Sequence, residues 1–278
     1  MTGDDWCIYP LYDFTHGLSD AIENITHSIC TLEFADHKPL YDWFLEELDI
    51  EQPPRQYEFS KLFLSHFIFS KRNMKKMVDE GVVDSWDDPR MPTLSGFRRR
   101  GYTPASLRNF CDSLGVSRAN SVIPFSLLEE SLRQDLNSIA PRRMVVLRPL
   151  KVTLTNFDEA IDLKVPNHPK DESMGTRTVK FSKNLFIEQS DFLEEAPKKF
   201  FRLRPGGEVR LRNSYIIRCD EVIKNCEGSI VELKCSIDPD TLGKNPEGRK
   251  VKGIVHWVDA NSAIPVETRL YDLSLIHI

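Results

Sequence analysis

The first apolar pattern along the chain is helical and the next is strand-like. Three apolar residues recur at i, i+4 and i+7: Leu18, Ile22 and Ile25. This spacing predicts a short helix, with Ser19 and Asp20 near its start, where polar and acidic side chains suit free N–H groups. We therefore expect the polar stretch Tyr12–His16 to form a loop ahead of the helix. The alternation of polar and apolar residues over Ile29–Phe34 predicts a strand.

A second helix and strand follow. Pro39 suits a first helical turn, and the apolar stripe after it consists of Leu40, Trp43, Phe44 and Leu48. The segment Arg55–Leu64 then has the alternation of a strand, with Tyr57 and Phe59 on one face and Glu58 on the other.

The following segment is mostly helical in pattern. A short helix is predicted after the turn Ser70–Arg72, and its apolar residues are Met74, Met77 and Val78. Thr103 and Pro104 suit an N-cap and a first turn, and Gly115 suits the helix end. The stripe between them consists of Leu107, Phe110, Cys111 and Leu114. A further helix is predicted from about Phe125 to Leu136.

Beyond Met144 the pattern changes to short segments rich in Val, Ile, Leu and Thr, separated by turn residues. These segments are Val145–Leu147, Val152–Leu154, Val209–Leu211, Tyr215–Ile217, Ile230–Cys235 and Val251–Trp257. Many short strands at this spacing predict an antiparallel barrel. The break at Asn137–Pro141 predicts a domain boundary.

Composition excludes several classes of protein. The chain is 40% hydrophobic and has 16 Phe and 4 Trp, which indicates folded domains rather than disorder. No apolar run approaches the roughly 20 residues that span a membrane, and the first residues lack a secretory signal pattern. The six cysteines form no CxxC pair, so we expect no zinc site or disulfide framework, and a reducing cytosol.

The net charge of −5 at first argues against a nucleic-acid partner. However, basic residues cluster locally: Arg98, Arg99, Arg100, Arg142, Arg143, Lys198, Lys199, Arg202, Arg204, Arg210 and Arg212. RNA binding requires a basic stripe rather than a basic protein. Each cluster taken alone also fits an ordinary solvated face.

Long stretches of the chain resemble class I glutaminyl-tRNA synthetases nearly residue for residue. They are YPLYDFTHGLSDAIENITHSICTLEF, ADHKPLYDWFLEEL, PRQYEF, SKR, WDDPRMPTLSGFRRRGYTP, APRRM, PNHP, EVRLRN and KGIVHWV. The resemblance runs from about Thr2 to Asp272. It implies ATP-dependent activation of L-glutamine to glutaminyl-adenylate and transfer to tRNA(Gln) by a monomeric, cytoplasmic enzyme. Mg²⁺ is implied with ATP, without a dedicated protein motif for it.

The resemblance also implies an α/β plus all-β architecture. Residues 1–64 would be the second half of a Rossmann-type catalytic domain, and residues 65–140 a KMSKS-type loop with a helical subdomain that contacts the tRNA stem. Residues 141–272 would be the proximal anticodon-binding antiparallel β-barrel. The tail 273–278, LSLIHI, departs from the family, and we expect it to be non-native.

Site residues follow from the matched positions. The loop Ile68–Arg72 resembles the family's second signature, whose mobile cation stabilises the charge that grows on the ATP phosphates. The implied catalytic residues are Ser70, Lys71 and Arg72. Phe69 stands where Met or Val is usual. The implied ATP-binding residues are Thr31, Lys61, Leu62, Phe69, Ser70 and Lys71, the contacts of Lys61 and Leu62 being through the main chain.

The resemblance implies two further sets of residues. Those of the glutamine pocket are Tyr12, His16, Cys30 and Gln56. A phenol such as Tyr12 can accept from the glutamine NH₂ group, and a site built around that group rejects glutamate. The implied tRNA-binding residues are Asp36, Ser117, Arg118, Asn120, Arg142, Arg202, Arg210 and Arg212. Phe201 stands where a basic residue is expected.

The family's first signature, HIGH, has no counterpart in the sequence. We therefore expect the half of the catalytic domain that carries it to precede Thr2, and this polypeptide alone to be inactive. Two alternatives stay open. One is a glutamyl-tRNA synthetase of the barrel-bearing type, which His16 and the run SICTLEF disfavour. The other is a non-enzymatic tRNA-binding module, which the retained Tyr12, Thr31 and Lys71 disfavour.

Overall fold

The computed structural model describes residues 3–271, so the predicted tail 273–278 lies outside the described part. The chain divides into two compact units, one formed by the residues up to Ile139 together with Tyr271, and the other by Ala140–Leu270. Among the described residues no helix combines the length and apolarity that crossing a bilayer requires.

The first unit consists mainly of helices. They are α1 Tyr12–Ile22, α2 Lys38–Glu47, α3 Lys71–Asp79, α4 Leu94–Arg100, α5 Pro104–Leu114 and α6 Phe125–Ile139. Two pairs of parallel strands accompany them: β1 His27–Thr31 with β2 Arg55–Phe59, and β3 Leu62–Leu64 with β4 Ser121–Ile123. A 3₁₀ helix, Leu32–His37, follows β1 directly.

Both ends of α5 are fixed by local capping residues. The Thr103 side chain accepts a hydrogen bond from the Ser106 amide at 3.0 Å, and Pro104 occupies the first turn. Gly115 ends the helix with a φ of 67°, a conformation that glycine adopts without strain. These bounds confirm the predicted helix. One buried cluster lies under α5 and α6 and consists of Leu64, Tyr102, Phe110, Phe125 and Leu128.

Several predictions for the first unit are wrong. The segment Tyr12–His16 is the start of α1 rather than a loop, since polar side chains on one face of a helix do not interrupt its backbone. The predicted strand over Ile29–Phe34 ends at Thr31, where the chain turns into the 3₁₀ helix. The predicted strand Arg55–Leu64 is two strands, β2 and β3.

The apolar stripe of α2 and the apolar face of β2 are not their buried faces. In α2 the buried residues are Tyr41 and Leu45, whereas Trp43 is 50% exposed. In β2 the polar residues Gln56 and Glu58 are buried, at 4% and 6% exposure. The sequence pattern assumed that apolar residues point inwards, and these buried polar side chains instead satisfy one another by hydrogen bonds.

The second unit is built on strands. They are β5 Pro149–Leu154, β6 Ile161–Pro166, β7 Thr176–Phe181, β8 Asn184–Glu188, β9 Glu208–Leu211, β10 Ile216–Lys224, β11 Ile230–Asp238, β12 Ile254–Val255 and β13 Val258–Asp259. The order in the main sheet is β12-β9-β10-β11-β5-β8-β13, and β6 pairs separately with β7. The main hydrophobic cluster of this unit includes Phe181, Leu203, Leu233 and Trp257, each at 0% exposure.

The prediction of an antiparallel barrel is corrected by this sheet. Two of its pairings, β11 with β5 and β12 with β9, are parallel. The outermost strands β12 and β13 contain two residues each, too few to close the sheet with a regular ladder. The described sheet is therefore mixed and has two ends. Apolar spacing reveals strands but not the direction in which they pair.

Candidate functional site

Two residues of the predicted glutamine pocket lie one turn apart on α1. Tyr12 begins the helix, and its ring centroid is 5.0 Å from that of His16 and 4.4 Å from that of Phe34. Residues four apart share a helix face, so both rings point to the same side. Tyr12 is 47% exposed, which leaves its hydroxyl group accessible to a ligand.

His16 is held by a buried polar group beneath it. Its Nε2 lies 2.8 Å from Ser28 Oγ and 3.3 Å from Asp20 Oδ2. Ser28 is 1% exposed and donates to the Asp20 carboxylate. The imidazole also lies 5.3 Å from the ring of Tyr41 on α2. These contacts fix the orientation of the His16 ring.

Close packing of α1 on α2 depends on a glycine. A Cβ at Gly17 would lie 3.1 Å from the Tyr41 ring, closer than ordinary van der Waals contact. The absence of a side chain at this position lets the two helices approach. His16 thereby reaches Ser28 of β1, and Tyr12 reaches Phe34 in the 3₁₀ helix that follows it.

Gln56 joins this cluster from β2. Its Nε2 donates to the main-chain oxygen of Phe34 at 3.1 Å and to Glu58 Oε1 at 2.9 Å. The Lys38 ammonium group donates to the main-chain oxygen of Gln56 at 3.1 Å. Both N–H donors of the Gln56 amide are therefore used, and its side-chain oxygen has no partner among the described residues.

Cys30 and Tyr12 are held in their neutral forms. Burial and the negative charge of Glu58 raise the pKa of the Cys30 thiol, and Lys38 opposes this only in part. Burial, Cys30 and Asp20 raise the pKa of Tyr12 above its ordinary value. The structure thus places Tyr12, His16, Cys30 and Gln56 in one cluster of hydrogen-bonding side chains, in which the phenol, the thiol and the amide are uncharged. Such groups suit an uncharged amide.

Two of the predicted ATP-binding residues, Thr31 and Lys61, meet at Glu33. Thr31 donates to Glu33 Oε1 at 3.0 Å, and the Lys61 ammonium group lies 3.1 Å from Glu33 Oε2. The hydrogen bond from Lys61 lowers the pKa of Glu33. Leu62 opens β3 opposite Ser121. The side chain of Lys61 is therefore engaged, in keeping with a main-chain role.

The predicted catalytic loop runs directly into α3. Ser70 is the N-cap of this helix and accepts from the Asn73 amide at 3.4 Å, so Lys71 and Arg72 lie in the first turn and not in a separate turn before it. Both cations are exposed, and no ion pair engages them within residues 3–271. Helix N-termini favour negative side chains, so two cations here disfavour the helix but suit an anionic ligand.

Phe69 packs beside two rings rather than pointing into the loop. Its ring centroid is 6.0 Å from that of Phe63 and 6.3 Å from that of Phe67. The aromatic residue that replaces the usual Met or Val therefore adds an apolar anchor just before the cations.

The predicted RNA-contacting residues of the first unit differ in their surroundings. Asp36, Ser117 and Asn120 are exposed, and Ser117 Oγ accepts from the Ala119 amide at 3.0 Å. Arg118, by contrast, lies with its Nη2 3.0 Å from Glu58 Oε2. The strand β4 follows directly after Asn120.

In the second unit, Arg210 and Arg212 line one cavity of about 700 Å³. Arg210 Nη1 donates to the main-chain oxygens of Ser214 at 3.0 Å and Thr241 at 2.9 Å, and Nη2 donates to that of Lys244. The exposed Arg212 side chain has no such partner in the described part of the chain. The indole of the fully buried Trp257 donates to the Arg212 main-chain oxygen at 3.0 Å and holds that backbone in place.

The remaining two predicted basic residues lie elsewhere in the same unit. Arg202 Nη1 is 2.9 Å from Asp191 Oδ1, and Asp191 is 5% exposed. Burial raises the pKa of Asp191 and the Arg202 charge opposes that rise. Arg142 Nη1 donates to the main-chain oxygen of Ala140 at 3.1 Å. Neither residue lines the cavity shared by Arg210 and Arg212.

Comparison with known families assigns both units. The family described as "tRNA synthetases class I (E and Q), catalytic domain" matches residues 1–138. The family described as "tRNA synthetases class I (E and Q), anti-codon binding domain" matches residues 140–238. The chain belongs to the class I tRNA synthetases of the E and Q type.

Relatives within this family are similar along nearly the whole chain. The glutamine–tRNA ligase of Pseudomonas putida is 63% identical over 274 residues, which are 98% of this chain and 48% of the relative. That of Pseudomonas syringae pv. tomato is 62% identical, and that of Clostridium perfringens is 57% identical, both again over 274 residues. The chain spans about half the length of the curated relatives it matches.

The family resemblance predicted the residues that would contact ligands. It did not predict the residues that hold those side chains in position. Asp20, Ser28, Tyr41 and Glu58 were not predicted as site residues, although they contact the predicted ones. A weak sign of them is present in the sequence: RQYEF alternates polar with aromatic residues, which leaves open which face is buried. Deciding that face requires the hydrogen-bond partners supplied by other elements.

Proposed function

We propose that this chain is part of a glutamine–tRNA ligase that activates L-glutamine with ATP and transfers it to tRNA(Gln). The observation that carries the proposal is the cluster of four hydrogen-bonding side chains, Tyr12, His16, Cys30 and Gln56; the Gln56 amide is uncharged, and the pKa values of the Tyr12 phenol and the Cys30 thiol are raised. Glutamine differs from glutamate in carrying a neutral amide with two N–H donors. The name shared by the Pseudomonas and Clostridium relatives supports the same substrate.

The cations of α3 would supply the electrostatic part of the activation step. As the glutamine carboxylate attacks the α-phosphate, negative charge builds on the leaving pyrophosphate. Lys71, with Arg72 beside it, would stabilise that charge more in the transition state than in the ground state. ATP would enter as its Mg²⁺ complex. Cationic side chains do not ligate Mg²⁺, which binds phosphate oxygens and water.

The finer assignments belong to the same proposal. The parallel pair β1–β2 with helices α1 and α2 fits the second half of a Rossmann-type domain. In the second unit, the exposed guanidinium of Arg212 could stack on or pair with an unstacked anticodon base. Six free cysteines fit a reducing cytoplasm. We propose a monomeric enzyme.

The decisive test is a chimera. In the Pseudomonas putida relative, the matching 274 residues are replaced by those of this chain, so that the rest of the enzyme comes from the relative. We expect charging of tRNA(Gln) with glutamine, lost on Lys71→Ala, with glutamine selectivity relaxed on Tyr12→Phe. Lys75→Ala is a matched control because Lys75 lies on the same helix but pairs with Asp79 at 2.5 Å.

Other outcomes discriminate the alternatives. Preferential charging with glutamate would assign the chain to a glutamyl-tRNA synthetase. No charging, with tRNA binding intact, would indicate a non-enzymatic RNA-binding module. Retained charging after Lys71→Ala would remove that residue from the activation step.

A further inference from the structure

Glu58 acts on three residues that were predicted to belong to two different sites, the glutamine pocket and the tRNA-binding surface. It is only 6% exposed. Its Oε1 accepts from Gln56 Nε2 at 2.9 Å, and its Oε2 accepts from Arg118 Nη2 at 3.0 Å. Its charge also acts on the thiol of Cys30. One buried carboxylate therefore touches the predicted glutamine pocket on one side and the segment 117–120 on the other.

A buried carboxylate is costly unless it is paired and hydrogen-bonded. The exposed Arg118 supplies the opposite charge, with its side chain 68% exposed against 6% for Glu58. The only other cation that acts on this region through a described contact, Lys38, donates to the Gln56 main chain rather than to Glu58. Arg118 thus neutralises the buried carboxylate that borders the pocket.

The hydrogen bonds of Glu58 decide which way the Gln56 amide faces. An amide group can lie in either of two orientations, with its NH₂ and its oxygen exchanged. Here both neighbours, the Phe34 main-chain oxygen and the Glu58 carboxylate, are acceptors. An ionised carboxylate only accepts, so the NH₂ group must point inward. The Gln56 oxygen is left as an acceptor for a ligand N–H.

We propose that Glu58 is a positioning residue that holds the Gln56 oxygen toward the amino-acid substrate, with Arg118 as its counter-ion rather than as an RNA contact. This inference rests on the proposed glutamine site. An acceptor held in this orientation favours a ligand that carries N–H donors. Glu58 therefore contributes to specificity without touching the substrate.

The first test uses the chimera described above and steady-state charging kinetics. Glu58→Gln can donate as well as accept, so it frees the Gln56 amide to rotate. We expect KM for glutamine to rise about tenfold, with little change in KM for tRNA. The ratio of kcat/KM for glutamine to that for glutamate should fall. Glu129→Gln is the matched control, because Glu129 pairs with Arg100 at 3.6 Å outside the pocket. Unchanged KM for glutamine in Glu58→Gln would overturn the inference.

Arg118→Ala separates the two roles of Arg118. As a counter-ion, its loss leaves Glu58 buried and unpaired, so KM for glutamine should rise while tRNA affinity and its salt dependence stay as before. Arg118→Lys keeps the charge and should recover most of the loss. A rise in KM for tRNA alone would assign Arg118 to RNA and contradict the counter-ion role.

A second readout uses the 278-residue chain itself and needs no activity. Burial and the charge of Glu58 raise the pKa of the Cys30 thiol, and Lys38 lowers it. The phenols of Tyr12 and Tyr41 also face Cys30, which raises their pKa values. Glu58→Gln should lower the pKa of Cys30 and speed its alkylation by iodoacetamide, resolved by mass spectrometry. The exposed Cys111 is the internal reference.

The two experiments fail in different ways. If the unsubstituted chimera does not charge tRNA at all, the proposed function is overturned. The Cys30 measurement then decides by itself whether Glu58 faces the pocket. In a chimera that charges normally, an unchanged KM for glutamine in Glu58→Gln would overturn the positioning role, whatever the Cys30 pKa shows.

Discussion

At the scale of single residues, Gly253 is where an added methyl group should do the most damage. A Cβ at this position would lie 1.8 Å from the main-chain oxygen of Phe201 and 3.0 Å from a methyl group of Val209. The obstacle is backbone, which cannot rotate away. We expect Gly253→Ala to lower the free energy of unfolding by about 1–3 kcal/mol or more, measured by denaturant titration.

Gly206→Ala is the control for that substitution. Gly206 has a φ of 64° and open space around its Cβ position. The alanine should cost only the strain of a left-handed backbone, about 1–2 kcal/mol. A Gly253→Ala protein as stable as the original would show that the segments at 201 and 253 do not approach this closely.

At the residue scale, the sequence predicted the ligand-contacting residues but not the residues that support them. Tyr12 contacts His16 and Phe34, and Gln56 donates to the Phe34 main-chain oxygen, so the structure connects residues that the resemblance had already grouped. The supporting Ser28 and Glu58 could not be predicted, because a polar residue in a strand is ordinarily assigned to the solvent face. Their burial follows from partners that are 8 and 60 residues away in sequence.

At the scale of elements, the segment that leads into α4 is held by Asp88. This carboxylate accepts hydrogen bonds from Arg90 Nε at 2.9 Å and Arg90 Nη2 at 2.7 Å. It also accepts hydrogen bonds from the main-chain amides of Asp84 and Arg90. The next glycine, Gly96, has no room for a Cβ, which would lie 2.7 Å from the Asp88 main-chain oxygen. The Asp88 network therefore sets the path of this segment.

Asp88 should make stability depend on pH. The hydrogen bonds from Arg90 hold the pKa of Asp88 well below its usual range, whereas the unfolded value is about 3.9. The stabilisation is therefore complete above about pH 4 and is lost as the pH falls from there through the lower folded pKa. We expect Asp88→Asn to cost about 1.5–3 kcal/mol at pH 7, with the difference from the original shrinking below pH 4 in denaturant titrations.

Asp87→Asn is the matched control for the pH series. Asp87 is the neighbouring carboxylate, 53% exposed, and it lies 3.3 Å from Arg99. Exposed pairs contribute little because water screens them, so this variant should follow the original protein at each pH. A gap for Asp88→Asn that persists unchanged at pH 3 would show that the carboxylate charge is not what stabilises the segment.

Elements with local end signals were the predictable ones. The helix α5 has a Thr-Pro start and a glycine end, and its bounds are Pro104–Leu114. The strands β6, β7 and β8 were missed, and Val145–Leu147 is not a strand. There the main-chain amides of Leu147 and Arg148 donate to the Glu188 carboxylate, at 2.5 Å and 3.1 Å. The Glu188 carboxylate, about 40 residues away in sequence, takes the place of the strand–strand hydrogen bonds that the local pattern predicts.

At the scale of the whole molecule, the net charge of −5 repels the phosphate groups of RNA, whereas local clusters of cations attract them. The proposed binding of tRNA should therefore fall steeply with salt, because each phosphate contact releases counter-ions. Arg212 is the exposed guanidinium of the cavity in the second unit. We expect Arg212→Gln to weaken tRNA binding and to reduce the salt slope by about 1, measured by filter binding between low and physiological salt.

Arg210 should behave differently although it lines the same cavity. Its guanidinium satisfies the main-chain oxygens of Ser214, Thr241 and Lys244, and removing the donor leaves those acceptors to water or unpaired. Arg210→Gln should therefore lower the unfolding midpoint, whereas Arg212→Gln should leave it unchanged. If both variants lose RNA binding with the same change in slope and neither loses stability, Arg210 is a phosphate contact and its bonds to the backbone are exchanged when RNA binds. The pair of variants thus separates Arg212, the proposed RNA contact, from Arg210, whose side chain holds the backbone around the cavity.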